Sequence, residues 1–257
     1  MHNRKIMNRK ILVTGATSGF GRAIAEKFAA SGDDIIITGR RAPRLLELAE
    51  LLTDKYGVRV LPLTFDVMDR NAVFEHIEGI PEAWRPLDIL VNNAGLALGR
   101  DHFDVASLDD WETMIDTNLK GLMYVTKATL PLLNASGAHI FNMGSIAGKE
   151  VYEKGNGYCA SKHAVDAISK AMRIDLLSKG IRVTAIHPGA ADTEFSNVRF
   201  KGDDAMAASV YAGYEPLVAE NIADIVHYCA GLPAHVCIND LVVTCSAQAN
   251  SFYLHRK

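Results

Sequence analysis

Cysteine is scarce in this sequence, which has only Cys159, Cys229, Cys237 and Cys245 among its 257 residues. No two of them form a C-x-x-C pair, and no histidine cluster lies near them at the spacing of metal ligands. We therefore expect no metal site. Unpaired thiols are typical of a reducing compartment, so the composition indicates a cytoplasmic protein.

Long apolar runs and an excess of positive charge are also lacking. No stretch approaches the ~18 consecutive apolar residues of a membrane span, and the basic N-terminus is not followed by an apolar signal segment. The net charge is -3 and the pI is near 6.3. We expect neither nucleic acid nor a membrane as a partner.

Hydrophobic residues, in contrast, make up 49% of the chain, which is ample for the core of one domain over residues 1–257. Six short apolar segments alternate with helical patterns, and a final one runs from Leu241 to Cys245. This order predicts an α/β fold with a doubly wound parallel sheet, the Rossmann fold. Residues 1–8 are expected to form a flexible N-terminus, with Met7 as an alternative start.

A glycine-rich turn follows the first predicted strand, Lys10 to Thr14, and leads into a helical pattern. Glycines in such a turn let the backbone pass close to a pyrophosphate, and the helix N-terminus offers free N–H groups. The spacing is G-x-x-x-G-x-G, in the strand-turn-helix context that a dinucleotide motif requires. The residues expected to contact a cofactor here are Gly15, Thr17, Ser18, Gly19, Phe20 and Gly21.

Two arginines, Arg40 and Arg41, follow the second predicted strand, Asp34 to Thr38. An NAD site usually has an acidic residue at this point, whereas arginine accommodates the 2′-phosphate of NADP. The sequence therefore favours NADP. The alternative is a solvated basic start of the next helix.

Further candidates follow the third and fourth predicted strands, at the edge where ligands of open α/β sheets bind. Asp66, followed by Val67, is expected either to contact the adenine or to cap the next helix. After the fourth strand, the side chains of Asn92 and Asn93 can lock the turn, with Asn92 expected as a cofactor contact, and the small residues Ala94 and Gly95 let a ring approach.

Tyr158 and Lys162 lie four residues apart and share a face if this segment is helical. A free phenol has a pKa of about 10, and a neighbouring cation lowers that pKa. Tyr158 is therefore a candidate acid and base, with an exposed surface pair as the alternative. Ser145 directly follows Gly144 and is not in the G-x-S-x-G elbow of hydrolases. Asn118 lies inside a helical pattern, where a poor helix former indicates a local distortion.

Taken together, these motifs resemble the short-chain dehydrogenase/reductase family, and the match extends over essentially the whole chain. The resemblance implies a nicotinamide-dependent oxidoreductase, and a homotetramer built partly on the helices that contain Asn118 and Tyr158. The residues that carry it are Thr14, Gly15, Gly19, Gly21, Asn92, Asn93, Ala94, Gly95, Asn118, Ser145, Tyr158, Lys162, Pro188, Gly189 and Thr193.

The same resemblance implies the roles of the site residues. Tyr158 would donate a proton to the carbonyl oxygen of the substrate, and Lys162 would lower the pKa of Tyr158 and hold the nicotinamide ribose. Ser145 would bind the reacting oxygen, and Asn118 would hold a water of a proton relay. The segment from Pro188 to Thr193 would secure the nicotinamide carboxamide.

A closer resemblance links three blocks to one subgroup of the family, which contains NADP-dependent 3-hydroxy acid dehydrogenases and sulfoacetaldehyde reductases. The blocks are Asn93 to Gly99, Asp110 to Asn118 and Thr193 to Asp204. Substrates of that subgroup are short and have an anionic head.

An anionic head requires a cation with directed donors, which arginine supplies. Arg199 lies in the segment expected to cover the substrate, residues 190–215, and Tyr152 is expected to add a hydroxyl. The alternative for Arg199 is a surface ion pair with Asp203 or Asp204.

The C-terminal tail, residues 246–257, is aromatic and basic. Tyr253 in this tail is a candidate substrate contact, in its own chain or in a neighbouring subunit. The alternative is a frayed terminus.

The leading hypothesis is an NADPH-dependent reductase of a small anionic aldehyde, with sulfoacetaldehyde to isethionate as first choice. Alternatives are an NADP-dependent dehydrogenase of 3-hydroxy acids such as allo-threonine or serine, a malonic semialdehyde reductase, and an enzyme of larger substrates. An NADP-binding sensor is the non-enzyme alternative, against which the intact Ser145, Tyr158 and Lys162 argue. A hydrolase using Ser145 with His139 or His187 would lack a glycine elbow.

Overall fold

Alternating strands and helices build the fold, which the computed structural model describes for residues 8–135 and 137–257. The strands are β1 (Lys10–Val13), β2 (Asp34–Gly39), β3 (Val60–Thr64), β4 (Ile89–Asn92), β5 (His139–Met143), β6 (Arg182–Pro188), β7 (Ala191–Asp192), β8 (Leu217–Val218) and β9 (Asp240–Val243). The α-helices are α1 (Gly19–Ala29), α2 (Ala42–Tyr56), α3 (Arg70–Glu78), α4 (Leu108–Ile115), α5 (Leu122–Thr129), α6 (Asn156–Asp175), α7 (Phe195–Arg199), α8 (Asp204–Ser209) and α9 (Ala219–Ala230).

The main sheet of the described chain has seven parallel strands in the order β3-β2-β1-β4-β5-β6-β9. Helices cover both of its faces. One buried cluster contains Phe28 of α1 and Val226 of α9, and the other contains Val73 of α3 and Val125 of α5. The central strands are therefore buried on both sides, which explains their continuous apolar runs. The predicted doubly wound α/β fold is confirmed.

The seven predicted strands all belong to this sheet, with ends that differ by one or two residues. The structure adds a small sheet in which β7 and β8 pair in parallel. These two strands are too short to produce an alternating pattern, so the sequence did not reveal them. They bring together the two ends of the segment that contains α7 and α8.

The helical region around Asn118 is distorted, as predicted. Between α4 and α5, residues Asp116–Gly121 form a π-helical turn. Such insertions are frequent at functional sites. Here the turn buries Asn118, which is only 2% exposed, against the loop that follows β4.

The amino end of the described chain lies against the sheet. Asn8 Nδ2 donates to Asp34 Oδ2 at 3.3 Å, and Arg9 forms an ion pair with Asp33 at 2.6 Å. The rest of the predicted flexible N-terminus, residues 1–7, lies outside the described residues. Along residues 8–135 and 137–257, no helix is long and apolar enough to cross a membrane.

The C-terminal tail folds back onto the domain and is not a frayed terminus. Gln248 and Leu254 form an isolated antiparallel bridge within it. Its last residue, Lys257, donates its backbone N–H to the carbonyl oxygen of Gly213 at 2.8 Å. The tail is thereby attached to the segment that follows α8.

Candidate active site

A cleft of about 530 Å³ lies at the carboxyl ends of the central strands. Ligands of open α/β sheets bind at this edge, in the crevice between the connections that leave the strands. Motifs that are far apart in the sequence therefore meet in one cavity. The predicted cofactor residues that line it are Gly15, Thr17, Ser18, Gly19, Phe20, Arg40, Arg41, Asp66, Val67, Ala94, Gly95, Tyr158, Lys162, Pro188, Gly189 and Thr193.

The glycine turn between β1 and α1 has the shape that a dinucleotide requires. Gly15 has a φ of +66°, and a Cβ there would approach Ala94 Cα to 2.9 Å, so glycine keeps the floor of the cleft open. Helix α1 begins at Gly19, and the Ser18 side chain makes no capping hydrogen bond to it. The first N–H groups of α1 and the positive end of its dipole are therefore available to an anion. The turn fits a pyrophosphate.

Gly21 was predicted as a cofactor contact but does not line the cleft. It is buried in α1, where a Cβ would collide with the Asn93 side chain and the carbonyl oxygen of Gly15. The absence of a side chain at Gly21 lets α1 pack closely against the glycine turn. Gly21 therefore affects the cleft only through its contacts with Gly15 and Asn93.

Asn92 was also predicted as a cofactor contact but does not line the cleft. It is the last residue of β4 and points into the core, where Nδ2 donates to Thr126 Oγ1 at 2.8 Å and to Asn142 Oδ1 at 2.9 Å. The residue that locks the turn is its neighbour Asn93, whose Nδ2 donates to the carbonyl oxygen of Thr14 at 2.9 Å. Asn93, not Asn92, lines the cleft.

Arg40 and Arg41 both reach the cleft, but their partners differ. Arg41 Nη2 donates to Thr17 Oγ1 at 2.7 Å and to Ser18 Oγ at 3.0 Å, so its guanidinium is fixed beside the glycine turn. Arg40 Nη1 lies 3.4 Å from Asp66 Oδ2. The two hydroxyls hold the Arg41 cation where a phosphate on the adenosine ribose would lie.

Asp66 does not cap the helix that follows it. Asp66 Oδ1 accepts a hydrogen bond from the Met68 N–H at 2.9 Å and closes a local turn. The cap of α3 is Asp69, whose carboxylate accepts from the N–H groups of Asn71 and Ala72. The capping alternative is therefore wrong, and Asp66 stays a cleft residue.

Glu194 forms a contact that the sequence did not reveal. It lies between β7 and α7, and its carboxylate is 3.0 Å from Arg44 Nη1 and 3.3 Å from Arg41 Nη1. These ion pairs connect the start of α2 to the segment that covers the cleft. No local pattern signals them, because the partners are about 150 residues apart.

Ser145, Tyr158 and Lys162 meet in the centre of the cleft. Ser145 follows β5, and its hydroxyl accepts from the Ala147 N–H at 3.1 Å and lies near enough to the Tyr158 hydroxyl to lower its pKa. Lys162, one turn after Tyr158 on α6, donates from Nζ to the carbonyl oxygen of Met143 at 2.9 Å. Tyr158 and Lys162 are only 8% and 6% exposed, so they are not a surface pair.

Burial controls the protonation of both groups. It raises the pKa of Tyr158 above the usual value, and the Ser145 hydroxyl and the Arg199 charge oppose it only in part. The predicted lowering of this pKa is therefore wrong in sign, because desolvation of the phenolate outweighs the neighbouring cations. Burial also lowers the pKa of Lys162 to about 8. Tyr158 is thus protonated and Lys162 mostly charged at neutral pH.

The Asn118 side chain makes three hydrogen bonds to other residues of the protein. Oδ1 accepts from the Leu96 N–H at 2.8 Å, and Nδ2 donates to the Leu96 carbonyl oxygen at 2.8 Å and to Ser161 Oγ at 3.0 Å. These contacts clamp the loop after β4 against α6. The relay water at Asn118 stays a prediction.

Arg199 and Tyr152 form the wall of the cleft beside Tyr158. Arg199 Nη2 donates to Tyr152 Oη at 3.0 Å, and the guanidinium carbon lies 5.4 Å from the centre of the Tyr158 ring. Arg199 Nε is buried and has no hydrogen-bond partner in the described part of the chain. The alternative ion pair with Asp203 or Asp204 is not formed among these residues, and Asp203 caps α8 instead. A half-buried cation with a buried, unused donor suits an anion.

Tyr253 is 72% exposed and is not among the residues that line the cleft of its own chain. Other residues of the tail do line it, namely Gln248, Ser251, Leu254 and Arg256. Arg256 Nη2 donates to the carbonyl oxygen of Val210 at 3.0 Å. Arg100, in the loop after β4, is a further lining cation. Neither arginine belongs to a motif, so the sequence offered only their charge as a signal.

No histidine of the described chain contacts the Ser145 hydroxyl. His187 Nδ1 lies 3.2 Å from the carbonyl oxygen of Ser145, and His139 Nε2 lies 2.7 Å from Thr184 Oγ1. Burial lowers the pKa of His139 to about 3, so this ring is neutral. The hydrolase alternative therefore lacks a base for Ser145.

Known proteins resemble this chain closely. The pattern of the family described as short chain dehydrogenase matches residues 9–204. Sulfoacetaldehyde reductase 2 of Chromohalobacter salexigens is 48% identical over 96% of this chain and 98% of that protein. NADP-dependent 3-hydroxy acid dehydrogenase YdfG of Escherichia coli K12 is also 48% identical, over 90% of this chain and 92% of that protein. The solved closed form of a serine dehydrogenase complexed with NADP+ superposes with a TM-score of 0.89 at 45% identity, covering 96% of this chain and 99% of that chain.

The matched residues extend from the start of β1 to the start of α8, and so include the glycine turn and the Ser145, Tyr158 and Lys162 centre. The similar proteins also cover the remaining C-terminal part. The chain belongs to the short-chain dehydrogenase/reductase family.

Proposed function

We propose that the protein is an NADPH-dependent reductase of a small anionic aldehyde, with sulfoacetaldehyde, reduced to isethionate, as the first choice. The observation that carries this proposal is the position of Arg199. Its guanidinium carbon lies 5.4 Å from the Tyr158 ring, and its buried Nε has no partner among the described residues. A short substrate can place its anionic head on Arg199 and its carbonyl at Tyr158 at the same time.

NADP(H) fits the other half of the cleft, and NADP is named for both the Escherichia coli relative and the serine dehydrogenase complex. The N-terminus of α1 would hold the pyrophosphate, and Arg41, fixed by Thr17 and Ser18, the 2′-phosphate. Lys162 would hold the nicotinamide ribose, and Pro188 to Thr193 the carboxamide. When bound, NADPH supplies the hydride that the carbonyl carbon receives.

Tyr158 supplies the proton of the reduction. The hydroxyl proton of Tyr158 moves to the carbonyl oxygen, which becomes the alcohol oxygen, while the Ser145 hydroxyl donates a hydrogen bond to the same oxygen. The raised pKa of Tyr158 keeps this hydroxyl protonated at neutral pH. The nearby charge of Lys162 stabilises the phenolate left behind. Such general acid catalysis contributes about 10²–10⁴-fold to a rate.

The anionic head is recognised by donors that stay protonated. Arg199 is always charged, and burial raises the pKa of Tyr152, so its hydroxyl stays neutral as well. The Phe195 ring lies 5.7 Å from that of Tyr158 and narrows the cleft at the reacting group. This narrowing favours short substrates over steroids or acyl chains.

A second candidate is the NADP-dependent oxidation of 3-hydroxy acids such as allo-threonine or serine, or the reduction of malonic semialdehyde. Relatives named for sulfoacetaldehyde and for 3-hydroxy acids are equally similar to this chain, at 48% identity. Arginine also binds a carboxylate in bidentate form. The same residues would then serve a carboxylate head.

The test is NADPH consumption with sulfoacetaldehyde and malonic semialdehyde, compared by kcat/KM and repeated with NADH. Acetaldehyde is the matched control, because it lacks the anionic head. Preference for the sulfonate supports the first choice, and preference for the carboxylate supports the second. Turnover of acetaldehyde as fast as that of both anions would contradict the role of Arg199.

We also propose that the protein is a cytoplasmic homotetramer. The free thiols of its four cysteines support a reducing compartment. Large apolar side chains are exposed on three neighbouring helices, namely Leu108 of α4, Met123 of α5 and Ile174 of α6, at 67%, 41% and 75%. Exposed apolar surface favours coverage by another subunit. Light scattering of the purified protein measures the number of subunits, and a monomer would contradict this proposal.

A further inference from the structure

Lys149, Asp166, His187 and Asp240 form a charged cluster behind Ser145, outside the lining of the cleft. Lys149 Nζ lies 2.8 Å from Asp166 Oδ1 and also contacts Asp240 Oδ2. His187 is fully buried, and its Nε2 lies 3.2 Å from Asp240 Oδ1 and 3.6 Å from Asp166 Oδ1. The Lys149 ammonium supplies the positive charge that the two carboxylates require.

The cluster joins the elements that carry the reaction. Lys149 ends the short turn that begins at Ser145, and Asp166 lies one helical turn after Lys162 on α6. His187 is on β6, directly before the segment that begins at Pro188, and Asp240 opens β9. One cluster of polar side chains therefore lies between the serine turn, the tyrosine helix and two strands.

His187 is the member that contacts the serine turn. Its ring packs against Gly144, where any Cβ would collide with the imidazole. Its Nδ1 lies 3.2 Å from the carbonyl oxygen of Ser145. Nε2 is buried and has no hydrogen-bond partner among the residues that the structure describes, whereas Nδ1 faces the Ser145 carbonyl oxygen, which only accepts. This geometry assigns the ring proton to Nδ1, which then donates to the Ser145 backbone.

We propose that His187 is a positioning residue for the reduction. By donating Nδ1–H to the Ser145 carbonyl, with its ring packed against Gly144, it fixes the backbone that aims the Ser145 hydroxyl at Tyr158. Misplacement of a catalytic group by about 1 Å is enough to cost up to 10²-fold in rate. The kinetic part of this inference rests on the proposed reductase activity.

Two amide substitutions distinguish the roles of the two nitrogens of the His187 ring. In His187→Asn the amide lies near the position of Nδ1 and still donates to Ser145. In His187→Gln the longer amide reaches the position of Nε2, contacts the carboxylates, and leaves the Ser145 carbonyl without this donor. The two variants are similar in polarity, so they differ mainly in the contact at issue.

The expected result is a loss of about tenfold in kcat for His187→Gln, which corresponds to about 1.4 kcal/mol, and of less than about threefold for His187→Asn, which keeps the donor to Ser145. The KM for NADPH should stay within about twofold in both variants, because neither touches the cofactor half. Equal kcat values for the two variants, or a loss shared by kcat and the affinity for NADPH, would overturn the proposal. Should His187→Gln fail to fold, His187→Leu, which has the shape of Asn but no donor, should lower kcat by about tenfold relative to His187→Asn.

A readout that needs no substrate keeps this inference separate from the proposed function. Crystal structures of the two variants should show a longer separation of Ser145 Oγ from Tyr158 Oη in His187→Gln than in His187→Asn. An unchanged separation in both would reject the positioning role. Failure of the wild type to reduce any of the aldehydes would reject the proposed function alone, because the crystallographic comparison would still stand.

Discussion

The cofactor half and the substrate half of the cleft are built in different ways. The cofactor half lies at the ends of buried strands, and its side chains hold nearby backbone, as Asn93 holds Thr14. The substrate half consists of α7, α8 and the tail, joined by long-range contacts such as those of Arg199 with Tyr152 and of Arg256 with Val210. The rigid sheet thus positions the residues of the cofactor half, whereas the residues that select the substrate lie on attached segments. Those segments can change without disturbing the sheet.

The largest effect is expected where the two halves meet. Tyr158→Phe removes the proton donor but keeps the ring, so kcat should fall by about 10³-fold while the Kd for NADPH stays within a few-fold. Steady-state kinetics and a fluorescence titration with NADPH measure the two quantities. Tyr152→Phe, which alters a neighbouring buried hydroxyl, is the matched control and should act mainly on the KM of the aldehyde. Retention of more than about a tenth of kcat in Tyr158→Phe would contradict the mechanism.

The second prediction tests the substrate half alone. Arg199→Met should lower kcat/KM for the anionic aldehyde by about 30-fold, because hydrogen bonds to charged groups are worth about 1.5–3 kcal/mol. The Kd for NADPH and the turnover of acetaldehyde should not fall. Lys201→Met removes an exposed cation that pairs with Asp110 at 2.9 Å and should have little effect. An equal loss with acetaldehyde would show that Arg199 acts on the reacting centre rather than on the anion.

The third prediction tests the cofactor half alone. Arg41→Met should reduce the preference for NADPH over NADH by about tenfold, since it removes the charged partner of the 2′-phosphate. The KM of the aldehyde should not change. Arg44→Met is the matched control, because Arg44 shares Glu194 but does not contact the glycine turn. A larger effect of Arg44→Met than of Arg41→Met would assign the 2′-phosphate to Arg44.

A smaller effect is expected from pH. With the pKa of Lys162 lowered to about 8 by burial, its cation is present below that pH and lost above it. The kcat/KM for NADPH should therefore be constant near neutral pH and about fourfold lower at about pH 8.5. Rate profiles from neutral to alkaline pH measure this limb, and Lys162→Met should abolish it. A decrease in kcat/KM at alkaline pH that persists in Lys162→Met would be due to another titrating group.

The smallest effect concerns the support of the substrate half. Arg256→Met should raise the KM of the anionic aldehyde about threefold without changing kcat, because Arg256 holds the carbonyl groups at the end of α8. Arg173 also donates to two backbone carbonyl groups, at Val183 and Asn239, but outside the cleft. Arg173→Met is therefore the control for a general loss of stability. Identical KM changes in both variants would show that the tail has no specific part in substrate binding.

The same contrast explains what the sequence could predict. Buried strands and glycine turns leave local patterns, so the sheet and the position of Tyr158 and Lys162 followed from the sequence. The choice between Asn92 and Asn93 did not, because a strand buried on both faces has no alternation to show which neighbour faces the cleft. The rise in the pKa of Tyr158 was also missed, since spacing along a helix shows neighbouring charges but not desolvation.

The substrate half was less predictable for a physical reason. Glu194 and Arg256 act through contacts with residues far away in the chain, Arg100 only lines the cleft, and none of the three belongs to a motif. Arg199 was found because it lies in a block that resembles a known subgroup, and the direction of its side chain came only from the structure. Tyr253, which has the same aromatic and hydroxyl character as Tyr152, is exposed and does not line the cleft.

The attachment of the last residue matters for handling the protein. Because the backbone N–H of Lys257 donates to the carbonyl oxygen of Gly213, any affinity tag fused to the carboxyl end would continue directly from a residue bonded to the substrate half. A tag that breaks this bond should raise the KM of the aldehyde and leave the Kd for NADPH unchanged, so an assay of the tagged protein would misjudge its specificity. The amino end of β1 lies at the opposite edge of the sheet, so a purification tag belongs there.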